Sequence, residues 1–227
     1  MDTKYLFYTT LVISIIIQIT TGIIEVGAFF VKVPTMYSLI KQLLTLELIV
    51  QFCEGMFYFW LVYNYAKVLN ITPKRYIDWV ITTPTMLITL MIYLIYLNKM
   101  AENKINDLNF FTLLKENSNI FIHVVLLNWL MLFFGYLGEM RIIPILLGVF
   151  LGFIPFLIYY YIIYVNYVTQ NTNGYLLFWY FFFFWSLYGV VAMFPYYAKN
   201  AFYNILDLFA KNFFGIFLSY LIFSGNY

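Results

Sequence analysis

The sequence predicts an all-α membrane protein, a bundle of seven transmembrane helices folded as one domain over residues 1–227. Three observations predict it. Of 227 residues, 64% are hydrophobic and only 10% are charged, where a soluble domain carries about a quarter charged residues. Mean hydropathy is +0.86. The apolar residues also fall into long runs divided by short polar punctuation. One crossing of the hydrocarbon core takes roughly 20 such residues, so the chain has room for about seven.

This composition excludes a disordered chain, a coiled coil and an ordinary cytosolic enzyme. Net charge is +2, from 12 Lys and Arg against 10 Asp and Glu. It leaves no electrostatic footprint for nucleic acid, and the expected partner is the lipid bilayer. The runs are too long, and lack the alternating polarity, for β-barrel strands. The single Cys53 cannot form an intramolecular disulfide and suits a small buried apolar role.

Taken in order, span 1 is expected over about Tyr5–Val31, ended by Lys32-Val33-Pro34. It is too long for the core of a signal peptide and lacks a small-residue cleavage site. Span 2 runs from about Tyr37 to Tyr65. Pro73, after the turn at Asn70-Ile71-Thr72, suits the first turn of span 3, which reaches about Leu97. The same three residues form a sequon, but the following proline argues against glycosylation. Asn98–Asn119 is the one long connection, and Leu108–Leu114 within it suits a short interfacial helix. Span 4 is expected over Ile120–Leu137, span 5 over Ile142–Tyr167, span 6 over Tyr175–Phe194 and span 7 over Ala201–Phe223. Trp60, Tyr63, Tyr65, Tyr196 and Tyr197 suit interface anchors. Lysines and arginines are shared too evenly between the two sides for the positive-inside rule to set orientation. Lys67 is among those assigned to the N-terminal side.

Ionisable groups inside spans carry the information. One such charge at the bilayer centre costs roughly 2.5–3.5 kcal/mol on insertion scales, so it needs a partner or a cavity. They are Glu47 and Glu54 in span 2, Asp78 in span 3, and Asp207 with Lys211 in span 7; Glu25 and Glu139, near span ends, are expected to be wet. Asp207 and Lys211 share a helix face at i and i+4. A lysine is kept in such a place either by a firm ion pair or by covalent use of its amine, for which a Schiff base to an aldehyde is the common form. On span 3, Asp78, Thr82, Thr85 and Thr89 form one polar stripe, with Trp79, Thr83 and Met86 on the adjacent face. Arg75, one turn before Asp78, is placed to snorkel outward while facing the carboxylates. Pro84 removes a backbone hydrogen bond in mid-span, and a hydroxyl or water is expected to take the freed carbonyl.

Arg75-Tyr76-Ile77-Asp78-Trp79-Val80-Ile81-Thr82-Thr83-Pro84 resembles the third-helix signature of microbial (type 1) rhodopsins, and Asp207-x-x-x-Lys211 resembles their seventh-helix signature. Both stand in the right spans, and the resemblance covers the whole chain. It implies a seven-helix bundle of microbial rhodopsin type and all-trans retinal carried on Lys211 as a protonated Schiff base. Asp78 and Asp207 are then counterions. Trp79 and Trp185 are expected to sandwich the chromophore, with Tyr188 one turn on from Trp185 and Thr83, Met86, Met131 and Gly135 completing the wall. Two positions depart from the family pattern: a sixth-helix proline is Gly189 here and a nearby tryptophan is Ala192.

The resemblance also sorts transport classes. An outward proton pump has Asp78 as acceptor, but its donor position is Thr89 and its release-glutamate position is Lys199. Chloride and sodium pump patterns are absent from the third helix. Glu47 and Glu54 lie two turns apart on one face of span 2, and carboxylates lining a pore attract cations. Channelrhodopsins look similar here: Ser14, Glu47 and Asn212 match their central gate, Glu54 the glutamate two turns outward, and Thr83 with Asn128 a weakened third-to-fourth-helix pair. Their histidine-rich cytoplasmic gate is not matched, and His123 suits an interfacial position. Short loops and a composition rich in Ile, Asn, Lys, Tyr and Phe look most like the first group of viral rhodopsins of giant algal viruses. The reading is a light-gated cation channel, with an outward proton pump or a sensor as alternatives. Arg75, Thr82, Ser14, Glu47, Glu54 and Asn212 are then the ion pathway, and protons or monovalent or divalent cations the cargo. The implied setting is an infected host's membrane with the N-terminus outside; homo-oligomerisation is left open.

Overall fold

A computed structural model describes residues 2–64, 70–105, 108–169 and 172–227. Seven helices are long and apolar enough to cross a membrane: Thr3–Phe30, Thr35–Asn64, Thr72–Ala101, Ser118–Glu139, Ile145–Val168, Tyr175–Ala192 and Tyr196–Ser224, which are spans 1 to 7 below. The chain is an integral, multi-pass membrane protein. Among the described residues there is no strand. Tyr65, the expected end of span 2 and an expected anchor, and Lys67 lie outside the described residues.

The ends follow local chemistry. Asp2 caps span 1, its Oδ1 accepting from the Lys4 amide at 3.0 Å. The short helix of the long connection is Phe110–Glu116 rather than Leu108–Leu114, because the Asn109 side chain caps it by accepting from the Phe111 amide at 2.9 Å. Span 7 begins at Tyr196, earlier than the hydropathy suggests. Lys199 and Asn200, polar enough to suggest a loop, are buried there by partners on other spans. Cys53 is half-buried rather than buried, and His123 is exposed, its Nδ1 2.7 Å from the Asn119 carbonyl oxygen.

Consecutive spans pack side by side, and span 7 closes the ring against span 1. Spans 3 and 7 are the most buried. Large apolar side chains such as Ile16, Phe52, Phe150 and Leu176 face outward, as a lipid-facing wall requires. Spans 4 and 5 approach closely through glycine. A β-carbon on Gly148 would stand 2.8 Å from the Phe134 carbonyl oxygen and 3.1 Å from the Gly138 Cα, so only a residue without a side chain fits.

Pro84 shows how the bundle repairs a broken helix. Its missing N–H leaves the Val80 carbonyl without an intrahelical donor. The indole Nε1 of Trp129 on span 4 donates to that carbonyl at 3.0 Å, where a hydroxyl or water was expected. Thr82 and Thr83 instead donate to the neighbouring carbonyls of Asp78 and Trp79, at 3.0 and 2.7 Å. Trp129→Phe strands the Val80 carbonyl, and thermal unfolding should show a loss of about 1–3 kcal/mol. A Phe variant melting with the parent would remove this bond from the account.

Candidate functional site: the buried lysine, its acids and an apolar cavity

Lys211 lies on a π-helical stretch of span 7, Leu208–Asn212, a local widening that recurs at functional sites. Its Nζ donates to Asp78 Oδ2 and stands 3.7 Å from both Asp207 Oδ1 and Glu54 Oε1. All four side chains are buried. The i, i+4 pair expected from sequence is present, but the direct hydrogen bond goes to Asp78, which comes from span 3.

Asp207 is the most heavily supported acid. Tyr58 and Tyr188 donate to its two oxygens at 2.8 and 2.7 Å, and Arg75 Nη1 pairs with Oδ2 at 3.2 Å. Arg75 does not snorkel outward; it is 1% exposed. The cause lies on span 7. Arg75 Nε donates to Asn200 Oδ1 at 3.1 Å, Nη2 to the Asn200 carbonyl at 3.3 Å, and Nη2 also to Asn204 Oδ1. Asn200 and Asn204 were not singled out from sequence. Their signal was there: with Asp207 and Lys211 they make a polar stripe along one helix face.

Glu54 differs. Its oxygens make no close hydrogen bond, although it is fully buried, the Lys211 ammonium is near and the Gln18 side chain faces it. Beyond it lies an amide cluster. Gln51 Nε2 donates to the Gln18 carbonyl at 2.7 Å and to Thr21 Oγ1 at 3.1 Å, and Asn212 Nδ2 donates to Thr21 Oγ1 at 2.6 Å.

The structure therefore does not join Ser14, Glu47 and Asn212. Ser14 donates to the Asn204 carbonyl at 3.1 Å, Asn212 bonds Thr21 and Gln51, and Glu47 faces Thr89 of span 3. Each belongs to a different level of the bundle, and Glu54 is the span 2 acid level with Lys211. Thr82 is buried in the stripe below Asp78. Thr83 and Asn128 do meet, Asn128 Nδ2 donating to Thr83 Oγ1 at 2.7 Å. Two further expectations are corrected. Glu25 is 1% exposed, lying against Gly215 of span 7. Glu139 is buried because both its oxygens accept from Lys199 Nζ at 2.9 Å.

An apolar cavity ends on Lys211. Trp79, Thr83, Met86, Met131, Gly135, Trp185 and Tyr188 all line it, and so do Gly189 and Ala192. Phe153 of span 5 also lines it and fills the space beside Gly189, where a β-carbon would meet its ring at 2.6 Å. Sequence reasoning missed Phe153, Gly148 and Gly152; the glycine pair on one face of span 5 was the available signal. A long apolar molecule with an aldehyde end fits this donor set: apolar walls, one amine at the end, acids around that amine.

The family model for bacteriorhodopsin-like proteins matches residues 9–225. The chain belongs to that family. Its members bind retinal through a Schiff base to a lysine and are mostly light-driven transporters or photoreceptors rather than classical enzymes. The chain is similar to viral rhodopsin OLPVRII, with 28% identity, 99% of each chain covered and a TM-score of 0.78. It shares the fold of xanthorhodopsin, a light-driven ion pump with dual chromophore, at 19% identity, 97% and 93% coverage and a TM-score of 0.73. Bromide-bound halorhodopsin from Halobacterium salinarum has the same fold at 12% identity, 99% and 96% coverage and a TM-score of 0.71. No curated protein matches the chain.

Arg75→Met leaves Asp207, Asn200 and Asn204 facing an apolar side chain. Loss of one partner from a buried charge pair costs about 3–5 kcal/mol. Thermal unfolding of the variant in the same detergent should show that loss, and a parent-like melt would mean that the arginine does not hold spans 3 and 7 together.

Proposed function

We propose that the chain is a retinal photoreceptor acting as a light-gated cation channel, with all-trans retinal on Lys211. The observation that carries the reading is the buried acidic column between spans 1, 2, 3 and 7. Among the described residues, Glu25, Glu47, Glu54, Asp78 and Asp207 stand there against Arg75 and Lys211. Acids in excess along one path favour cations and disfavour anions.

Retinal, when bound, supplies a light-driven change of shape at the Lys211 nitrogen. Trp79, Trp185, Met86 and Met131 hold the apolar length of the molecule, and Gly135 admits the Tyr76 hydroxyl, which stands 2.7 Å from where its β-carbon would be. Asp78 Oδ2 takes the proton that Lys211 holds, since it is already that proton's hydrogen-bond acceptor. Loss of the charge pair loosens Glu54, whose remaining side-chain neighbour is the Gln18 amide. The amide cluster of Gln18, Gln51 and Asn212 then lies open to water. Asp207 keeps its place through Arg75, Tyr58 and Tyr188 and holds the N-terminal side fixed. With the N-terminus outside, cations enter past Ser14 and Arg75, and the likeness to a viral rhodopsin supports a host-cell membrane as the setting. Asp78 as a proton acceptor beside Lys211 also supports a second reading, an outward proton pump.

Light-evoked patch-clamp recording tests the proposal. Currents should reverse with the cation gradient; current of one sign at every voltage would make the protein a pump. Glu54→Gln should change conductance or selectivity, and an unchanged current would take Glu54 out of the path. Lys211→Ala should take up no retinal, leaving a chain without visible absorption. A coloured Lys211→Ala protein would move the attachment elsewhere.

A further inference from the structure

The π-helical stretch that carries Lys211 has to be held open. An α-helical amide reaches back four residues and a π-helical one five, so where span 7 returns to the α form one backbone carbonyl is passed over. Inside a membrane such a carbonyl has no water to turn to and must find a donor within the protein. The Phe209 carbonyl, two residues before Lys211, has one: the Tyr180 hydroxyl of span 6 donates to it at 2.8 Å. Aromatic rings surround that bond. Tyr180 lies against Phe213 with ring centroids 4.1 Å apart and against Phe184 at 4.6 Å, and Phe184 stacks on Phe209 at 5.0 Å with the planes 8° apart. Two rings of span 6 thus bracket the stretch from outside, at positions two before and two after Lys211. From inside it is held at Asn212, whose Nδ2 donates to Thr21 Oγ1 at 2.6 Å and to Gln51 Oε1 at 3.3 Å.

We infer that Tyr180 is a positioning residue for Lys211: by donating to the Phe209 carbonyl, its hydroxyl keeps the π turn from closing to an α turn and so fixes where the Lys211 nitrogen stands. Closing that turn would rotate the parts of span 7 on either side of it against each other by one residue's angle, about 100°. Asp207, bound to Arg75, Tyr58 and Tyr188, and Asn212, bound to Thr21 and Gln51, could not then both keep their partners, and Lys211 lies between them. Ring contact alone does not account for a tyrosine here. Phenylalanine, which fills the four positions that follow, would stack as well, and a phenol without an acceptor is costly to bury among apolar groups. The hydroxyl is what position 180 adds. Tyr180 is not part of the cavity wall, so its influence on Lys211 runs through the backbone of span 7.

The effect on a chromophore rests on the retinal reading above; the clasp itself does not. The sequence contains one Phe–Ala step, Phe209-Ala210, so carbonyl-13C phenylalanine combined with 15N alanine isolates the Phe209 carbonyl in solid-state NMR spectra. In the full-length, retinal-free chain in lipid, Tyr180→Phe should move that signal to lower chemical shift, as loss of a hydrogen bond does. Tyr161→Phe, on the lipid face of span 5, should leave it in place. With retinal added, Tyr180→Phe should also shift the visible absorption maximum, because the placing of Asp78 against the Lys211 nitrogen sets the energy of the charge held there; Tyr161→Phe should not. A Phe209 signal unmoved by Tyr180→Phe overturns the inference, and so does a moved signal with an unshifted absorption maximum. A moved signal in a chain that takes up no retinal defeats the retinal reading and upholds the clasp.

Discussion

A charged amine in hydrocarbon is the constraint on which the bundle is organised. An unpartnered lysine at mid-membrane costs roughly 2.5–3.5 kcal/mol on insertion scales. One carboxylate about 4 Å away returns on the order of 4 kcal/mol at an effective dielectric of about 20. That single partner would suffice for the lysine, but the carboxylate is itself desolvated and needs partners of its own. Asp78 therefore takes Lys211 directly, while Asp207 draws in Arg75, Tyr58 and Tyr188. Arg75 in turn needs Asn200 and Asn204. Compensation spreads from one amine until spans 2, 3, 6 and 7 are all tied to it, with span 1 joined through Ser14 and Thr10 to Asn204.

The apolar cavity follows from the same arrangement. Polar partners gather on the span 1, 2 and 3 side of Lys211, so the other side is left to aromatic rings, methionines and glycines of spans 3 to 6. Close packing of spans 4 and 5 through Gly138 and Gly148 gives that half its shape. At Gly189 of span 6, the Phe153 ring of span 5 fills the space a side chain would take, so bulk missing from one span is supplied by its neighbour.

Much of this was legible in the sequence, for a physical reason. Lipid forces each crossing to be a long apolar helix, so all seven spans could be read from hydropathy, and rare charges inside them pointed to the site. The cavity wall was readable through the resemblance to microbial rhodopsins, which pointed to Trp79, Trp185 and Tyr188; span 6 is apolar on every side, so its own periodicity does not mark the inward face. What misled was polarity that is satisfied across spans. Lys199 resembles loop material until Glu139 is placed opposite it. Glu25 resembles a wet end residue until Gly215 leaves it a berth. The grouping of Ser14, Glu47 and Asn212 failed because Glu47 and Glu54 share one helix face. Helical phase gives a face but not a depth, and only the neighbouring spans determine which acid stands level with Lys211.

The two ends of the column are built from different interactions, and that difference sets where the bundle can yield. On the N-terminal side, Arg75 is held by charge-assisted hydrogen bonds, which are strong in a dry site and specific in direction. On the far side, beyond Glu25 and Glu47, the spans meet through Ala28, Leu43, Leu44, Leu90 and Leu218, all fully buried and apolar. Such packing inside a membrane has no hydrophobic driving force behind it, since lipid tails are as apolar as leucine; it rests on close contact alone. Separating those side chains breaks no polar bond, whereas separating Arg75 from Asp207 and the asparagines breaks several. The apolar end is therefore the side on which the bundle separates at the smaller cost, and the arginine clamp is the side on which separation costs most.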